Sequence, residues 1–182
     1  MEHLRIATIW LGGCSGCHMS FLDLDEALLD LADRIQLVYS PIVDAKEYPD
    51  QVDLVLVEGA VCNEEHVELA HRIRARTRLV VAFGDCAVTG NVTAIRNQLG
   101  LGNAENVLQR AYVEAAELNQ GVPKEPGIIP ALLDRVVPLR EVIEVDYYLP
   151  GCPPSAARIK SFVDQLLAGG DPHLSGNDIR FG

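Results

Sequence analysis

Short apolar runs rich in β-branched residues alternate along the chain with longer stretches whose apolar positions recur at helical spacing. Residues 4–10 (LRIATIW) predict a first strand and 35–40 (IQLVYS) a second. Between them, residues 18–33 place Phe21, Leu22, Leu24, Leu28, Leu29 and Ala32 at helical spacing, with acids on the other face. Residues 53–57 (DLVLV) and 79–83 (LVVAF) are short and near-continuously apolar, as strands covered on both faces are. Residues 63–76 predict a helix with Asn63 as N-cap, two acids in the first turn and arginines in the last. Helical pattern returns over 91–99 and 104–118. Residues 119–138 form a proline-rich excursion, with one helical turn expected at 131–135. A last strand at 143–149 (IEVDYYL) and a last helix at 155–168 precede a short polar tail.

Strands alternating with helices imply a parallel sheet, because parallel neighbours need crossover connections. The expected fold is a flavodoxin-like three-layer α/β sandwich with a mostly parallel sheet, its five strands ordered 2-1-3-4-5. With 182 residues and no internal repeat, a single domain spanning 1–182 is expected.

Composition narrows the function classes. Hydrophobic residues at 48% and charged residues at 23% are those of a globular protein. A net charge of −11 argues against nucleic-acid binding, which needs clustered Lys and Arg. No run approaches the roughly 18 apolar residues of a membrane span. The N-terminus shows no signal-peptide pattern, so cytoplasmic residence is expected. Thiols stay reduced in that compartment, and five cysteines there point to metal or catalytic chemistry over disulfides.

Each of those cysteines follows a predicted strand. Cys14 and Cys17 follow the first, Cys62 the third, Cys86 the fourth and Cys152 the last. Ligands of open parallel sheets gather at these carboxyl ends. The pair Cys14-Ser15-Gly16-Cys17 alone is compatible with zinc, with a redox dithiol or with an iron–sulfur cluster. A structural zinc site usually pairs two close-spaced couples, and this chain has one. The glycines nearby do not form a G-x-G-x-x-G or a Gly-Lys-Ser/Thr phosphate loop. A 4Fe–4S cluster needs four thiolates, which Cys14, Cys17, Cys86 and Cys152 supply, the last followed by Pro153 as in several cluster ligand sets.

Taken together, Cys14-Ser15-Gly16-Cys17, Gly84-Asp85-Cys86 with Gly90, and Gly151-Cys152-Pro153-Pro154 resemble the proximal-cluster signature of nickel–iron hydrogenase small subunits. Val57-Glu58-Gly59-Ala60 resembles that family's segment after the third strand. The related 20 kDa cluster-bearing subunit of NADH:quinone oxidoreductase is similar in fold but characteristically begins its ligand set with adjacent cysteines. The short chain resembles the cytoplasmic, bidirectional NAD(P)-linked type. Deazaflavin-linked relatives usually add ferredoxin-like cysteines, which are missing here.

The resemblance implies one 4Fe–4S cluster on Cys14, Cys17, Cys86 and Cys152. It implies a large-subunit partner holding the nickel–iron centre, since nickel in this family takes two C-x-x-C pairs and this chain has one. It further implies a diaphorase module with flavin, more iron–sulfur clusters and an NAD(P) site, so that this chain serves as an electron-transfer subunit of a hydrogen:NAD(P)+ oxidoreductase. FMN in this chain is not expected, because thiols fill the loop where flavodoxins hold phosphate. Two alternatives remain: an iron–sulfur subunit of a quinone- or ferredoxin-linked complex, and a zinc-stabilised interaction module.

Other residues carry two readings each. Glu58 either passes protons or lies beside the cluster, or it is an exposed or capping acid. Cys62 is an alternative ligand or a small core thiol. His18 either donates to a cluster sulfur or starts a helix. Trp10 reads as a packing or interface aromatic, and Thr89 and Asn91 as local turn and cap groups.

Overall fold

The computed structural model describes residues 3–100, 102–115, 117 and 121–181. Five strands, β1 (Leu4–Trp10), β2 (Ile35–Tyr39), β3 (Val52–Glu58), β5 (Thr77–Phe83) and β7 (Tyr147–Leu149), form one sheet in the order β2-β1-β3-β5-β7. Every neighbouring pair is parallel. Counted among the sheet's own members, that is the expected 2-1-3-4-5.

Period-two alternation divides the core. Ala7, Ile9, Val55, Val57, Val80 and Ala82 point to one face, where Ala70 and Ile73 of α3 (Glu64–Arg76) cover them. Ile6, Leu54, Leu56, Val81 and Phe83 point to the other. There they meet Cys17 of α1 (Gly16–Leu22), Leu31 of α2 (Ala27–Ala32) and Ile159, Phe162 and Val163 of α6 (Ala156–Leu167). Burial on both faces explains why β3 and β5 read as unbroken apolar runs. Tyr48 is buried beside the first of these layers and its hydroxyl meets Thr77 Oγ1 at 2.5 Å.

Several local expectations are corrected. The stretch 18–33 is two short helices, because the chain turns through Asp23–Glu26 with Asp25 at φ 49°. Residues 91–99 wind as a 3₁₀ segment, Asn91–Leu99. The next helix is α5 (Asn103–Gln109) followed by a π turn at Arg110–Glu114, and residues 116 and 118 of the expected 104–118 lie outside the described residues. The helical turn expected at 131–135 is instead strand β6 (Leu132–Val137), paired antiparallel with β4 (Val61–Asn63). Residues 119 and 120 of the excursion are likewise not described.

The last strand starts later than expected. Asp146 Oδ2 accepts from Val80 N at 2.7 Å and from Arg74 Nη1 at 2.6 Å, so a side chain takes a ladder donor at the strand entrance. Asn63 caps α3 as read from the sequence, accepting from His66 N at 2.8 Å. No helix among the described residues is long and apolar enough to cross a membrane.

Candidate metal centre

Three loops at the carboxyl edge of the sheet carry the four thiols of interest. The loop after β1 brings Cys14 and, in the first turn of α1, Cys17; α4 (Asp85–Thr89), directly after β5, brings Cys86; the loop after β7 brings Cys152. Cys17 and Cys86 are buried, whereas Cys14 and Cys152 are exposed. Burial pushes the Cys17 thiol up, and the charges of Glu58, Cys86, Cys14 and Cys152 push it the same way. Cys86 is raised by burial and then by Cys152, Cys14, Glu58 and Asp85. Cys17 and Cys86 therefore feel their neighbouring thiols, and a full set of thiolates would need cationic metal to hold it together.

Backbone approach shapes the edge. At Gly84, φ is +81° and an added Cβ would lie 2.1 Å from Cys17 Sγ, so only glycine leaves room for that sulfur. Gly12 and Ala60 exchange backbone bonds, Gly12 N to Ala60 O at 3.0 Å and Ala60 N to Gly12 O at 2.8 Å. This bridge zips the loop after β1 to the loop after β3, and the glycine-rich stretch serves that contact.

Glu58, at the end of β3 between the thiol-bearing loops, is 2% exposed. Its carboxylate accepts from Cys17 N at 3.3 Å and from His18 N at 2.9 Å, and its Oε2 contacts His18 Nδ1. Ser15, at the N-cap of α1, makes no side-chain cap, so Glu58 supplies the acceptor that α1 lacks. The acid is thus both buried beside the thiols and a cap, and its exposed reading falls away. His18 starts the helix as one of its readings had it, but its Nε2 is buried with no hydrogen-bond partner. A buried polar atom of this kind fits a site completed by a group from outside the chain.

Cys62 stands apart. It lies in β4, its Sγ donates to Ala60 O at 3.4 Å, and the charge that bears on it is Arg96 and not another thiol. Trp10 is 47% exposed at the end of β1. Thr89 Oγ1 donates to Asp85 O at 2.9 Å, the local turn role expected of it. Asn91 is corrected: the N-cap of its 3₁₀ segment is Gly90, and the Asn91 Nδ2 donates to Cys152 Sγ at 3.3 Å.

Two residues were missed by sequence reasoning. Asp85 is buried and its Oδ1 accepts from Gly151 N at 2.6 Å, while Asp85 N donates to Gly151 O at 2.9 Å. It ties the Cys86 loop to the Cys152 loop. Ser20 Oγ donates to Pro154 O at 2.5 Å, tying α1 to the same loop. The signal for Asp85 was an acid flanked by Gly84 and Cys86; that for Ser20 was its place three residues after Cys17, on the same helical face.

A parallel sheet of this order with thiols gathered at its carboxyl edge defines a class of α/β subunit, and the comparisons give its family. Residues 14–166 match the family described as NADH ubiquinone oxidoreductase, 20 Kd subunit, and the chain belongs to that family. Hydrogenase subunits are among its relatives. The NAD-reducing hydrogenase HoxS subunit delta of Cupriavidus necator is 39% identical over 170 residues, 91% of this chain and 79% of that protein. A subunit of the F420-non-reducing hydrogenase of Methanothermobacter marburgensis is 36% identical over 185 residues, 98% of this chain. The chain spans 58% of that relative, a little over half its length. A chain of an NAD+-reducing [NiFe]-hydrogenase, crystallised in the H2-reduced state, superposes with TM-score 0.92 at 42% identity, covering 100% of both chains. A [NiFeSe]-hydrogenase chain of Dm. baculatum, at 18% identity, TM-score 0.58 and 70% of its length, shares the fold. The resemblance to hydrogenase small subunits is borne out.

Proposed function

We propose that the chain is the electron-transfer small subunit of a NAD(P)-reducing nickel–iron hydrogenase, holding one 4Fe–4S cluster on Cys14, Cys17, Cys86 and Cys152. The observation that carries this reading is the gathering of four thiols, from the loops after β1, β5 and β7, at one sheet edge. The hydrogenase relatives support it. When bound, such a cluster supplies one-electron transfer.

The residues here do the holding. Cys17 and Cys86 offer buried sulfurs, and Cys14 and Cys152 offer sulfurs at the surface, where a partner subunit would cover them. Glu58 fixes the helix that presents Cys17, Asp85 fixes the loop that presents Cys152, and Gly84 leaves space beside Cys17. Among the described residues no group of three or more His, Cys, Asp or Glu is placed to hold a single metal ion. A cluster gives each thiolate an iron of its own, whereas a zinc-stabilised module would gather its donors on one ion.

Electrons would arrive from the hydrogen-splitting nickel–iron centre of a large subunit and leave toward a diaphorase module carrying flavin and further iron–sulfur clusters. The exposed Trp10, Met19 and Leu22 near the first thiol loop are suited to such a contact. The test is anaerobic purification of the chain with its accompanying subunits, followed by iron, acid-labile sulfide, nickel and zinc analysis. Expected are iron and sulfide with a nickel-bearing partner, and hydrogen-dependent reduction of NAD or NADP. Zinc without sulfide overturns the cluster. Reduction of quinone but not of NAD(P) moves the protein to the quinone-linked alternative.

A further inference from the structure

We propose that Asn91 tunes the cluster: its side-chain amide donates an N–H···S hydrogen bond to Cys152 and raises the reduction potential of the cluster that this thiolate holds. The inference rests on the reading of Cys152 as a ligand. Asn91 Nδ2 lies 3.3 Å from Cys152 Sγ, across 61 residues of sequence.

The backbone places the amide deliberately. α4 ends at Gly90, whose N–H donates to Cys86 O at 2.9 Å, so Asn91 is anchored one residue beyond the helix that carries Cys86. Asn91 itself has φ 37°, in the left-handed region where asparagine is among the few tolerated side chains. It is the first residue of the 3₁₀ segment whose N-cap is Gly90. The amide therefore links the loops of Cys86 and Cys152 and ends on a sulfur. Cys14 Sγ also accepts a hydrogen bond, but from the Gly16 backbone at 3.4 Å, which substitution leaves in place.

The sign follows from charge. A reduced cluster carries one more negative charge, shared with its thiolates, so a fixed donor stabilises the reduced state more than the oxidised one. Hydrogen bonds to the sulfurs are one of the levers that set cluster potentials. The carboxamide keeps its hydrogens across the working pH range, so this contribution does not titrate.

Two variants separate tuning from structure. Asn91→Gly removes the amide and tolerates the positive φ. Asn91→Asp keeps the shape but replaces the donor with a carboxylate facing sulfur. The measurement is a redox titration of the anaerobically purified complex, followed by electron paramagnetic resonance on the signal that disappears in a Cys86→Ala preparation. At the parent midpoint potential, Asn91→Gly is expected to raise the oxidised-to-reduced ratio about threefold to tenfold, and Asn91→Asp further in the same direction. Iron and sulfide contents should match the parent in both.

An unchanged midpoint in cluster-loaded variants overturns the proposal, as does a shift in the opposite direction. If Asn91→Gly fails to load, Asn91→Asp decides. Loss of the cluster from both also overturns it, because the amide would then serve assembly and not potential. A parent protein without iron and sulfide defeats the cluster reading itself, a result distinct from any of these.

Discussion

Glu58 closes the N-terminus of the helix that presents Cys17, accepting from Cys17 N at 3.3 Å and His18 N at 2.9 Å while almost wholly removed from solvent. Removing the carboxylate leaves two helix donors unpaired. Glu58→Ala should cost about 2–4 kcal/mol, read by denaturant unfolding. Glu58→Gln, which keeps one acceptor oxygen, should cost less. Equal losses in the two variants would show that the cap is not what the acid contributes.

Gly12 and Cys62 should couple. A Cβ on Gly12 would lie 2.1 Å from Cys62 Sγ and 3.0 Å from Ala60 O. Gly12→Ala is expected to cost about 1–3 kcal/mol by overpacking. Cys62→Ala alone should cost about 1 kcal/mol and leave iron content unchanged. The double variant should recover part of the loss, because the approach to Ala60 O remains. Strict additivity in thermal unfolding would argue that the bridge yields elsewhere.

Tyr48 gives a prediction in alkali. Burial pushes its phenol up to about 12, partly offset by the hydrogen bond with Thr77. Between pH 10 and 12 the unfolded chain loses this proton and the folded chain keeps it. Stability should therefore fall as pH rises through that window, by at most about 1.4 kcal/mol per pH unit from this group. Tyr48→Phe should remove that component while costing about 1–2 kcal/mol at neutral pH for the unpaired Thr77 hydroxyl. Melting temperatures of parent and variant across pH 8–12 test both parts.

His66 works in the opposite direction. Burial holds its imidazole below the ordinary value of 6.5, and its Nδ1 accepts from Cys62 N at 3.2 Å. The unfolded chain binds this proton more readily, so stability should fall as pH drops below 6.5. His66→Asn keeps an acceptor near the Nδ1 position and does not titrate. The difference in melting temperature between parent and variant should shrink as pH drops from 7 to 5. A constant difference would mean that His66 is not protonated preferentially on unfolding.

The sheet was legible because alternation along β1, β3 and β5 sends successive residues to two buried faces, and runs such as DLVLV have no other stable use. The placing of four cysteines at the sheet's carboxyl edge was legible for a related reason: glycines and cysteines after strands have few structural roles. The stretch 131–135 was misread because LLDRVV has neither a strand's alternation nor a helix's spacing, and its state is decided by the distant strand Val61–Asn63. The helix over 18–33 failed at Asp23–Glu26, where the apolar spacing continues but the backbone turns. Asn91 was invisible as a sulfur donor, since its partner is 61 residues away. Residues that hold other residues, such as Asp85 and Ser20, depend on tertiary proximity and leave little local signature.

The bond from Ser20 Oγ to Pro154 O joins groups 134 residues apart. At ribosomal speeds of about 5–20 residues per second, the first thiol pair is exposed for roughly 7–27 s before the last corner of the site is made. During that interval the nascent protein holds Cys14 and Cys17 without Cys152 and without the edge strand that positions it. On the proposed cluster reading, iron and sulfide delivered early would meet only part of the thiol set. Loading would then follow synthesis of the edge strand and of Cys152, and not of the first thiol pair alone.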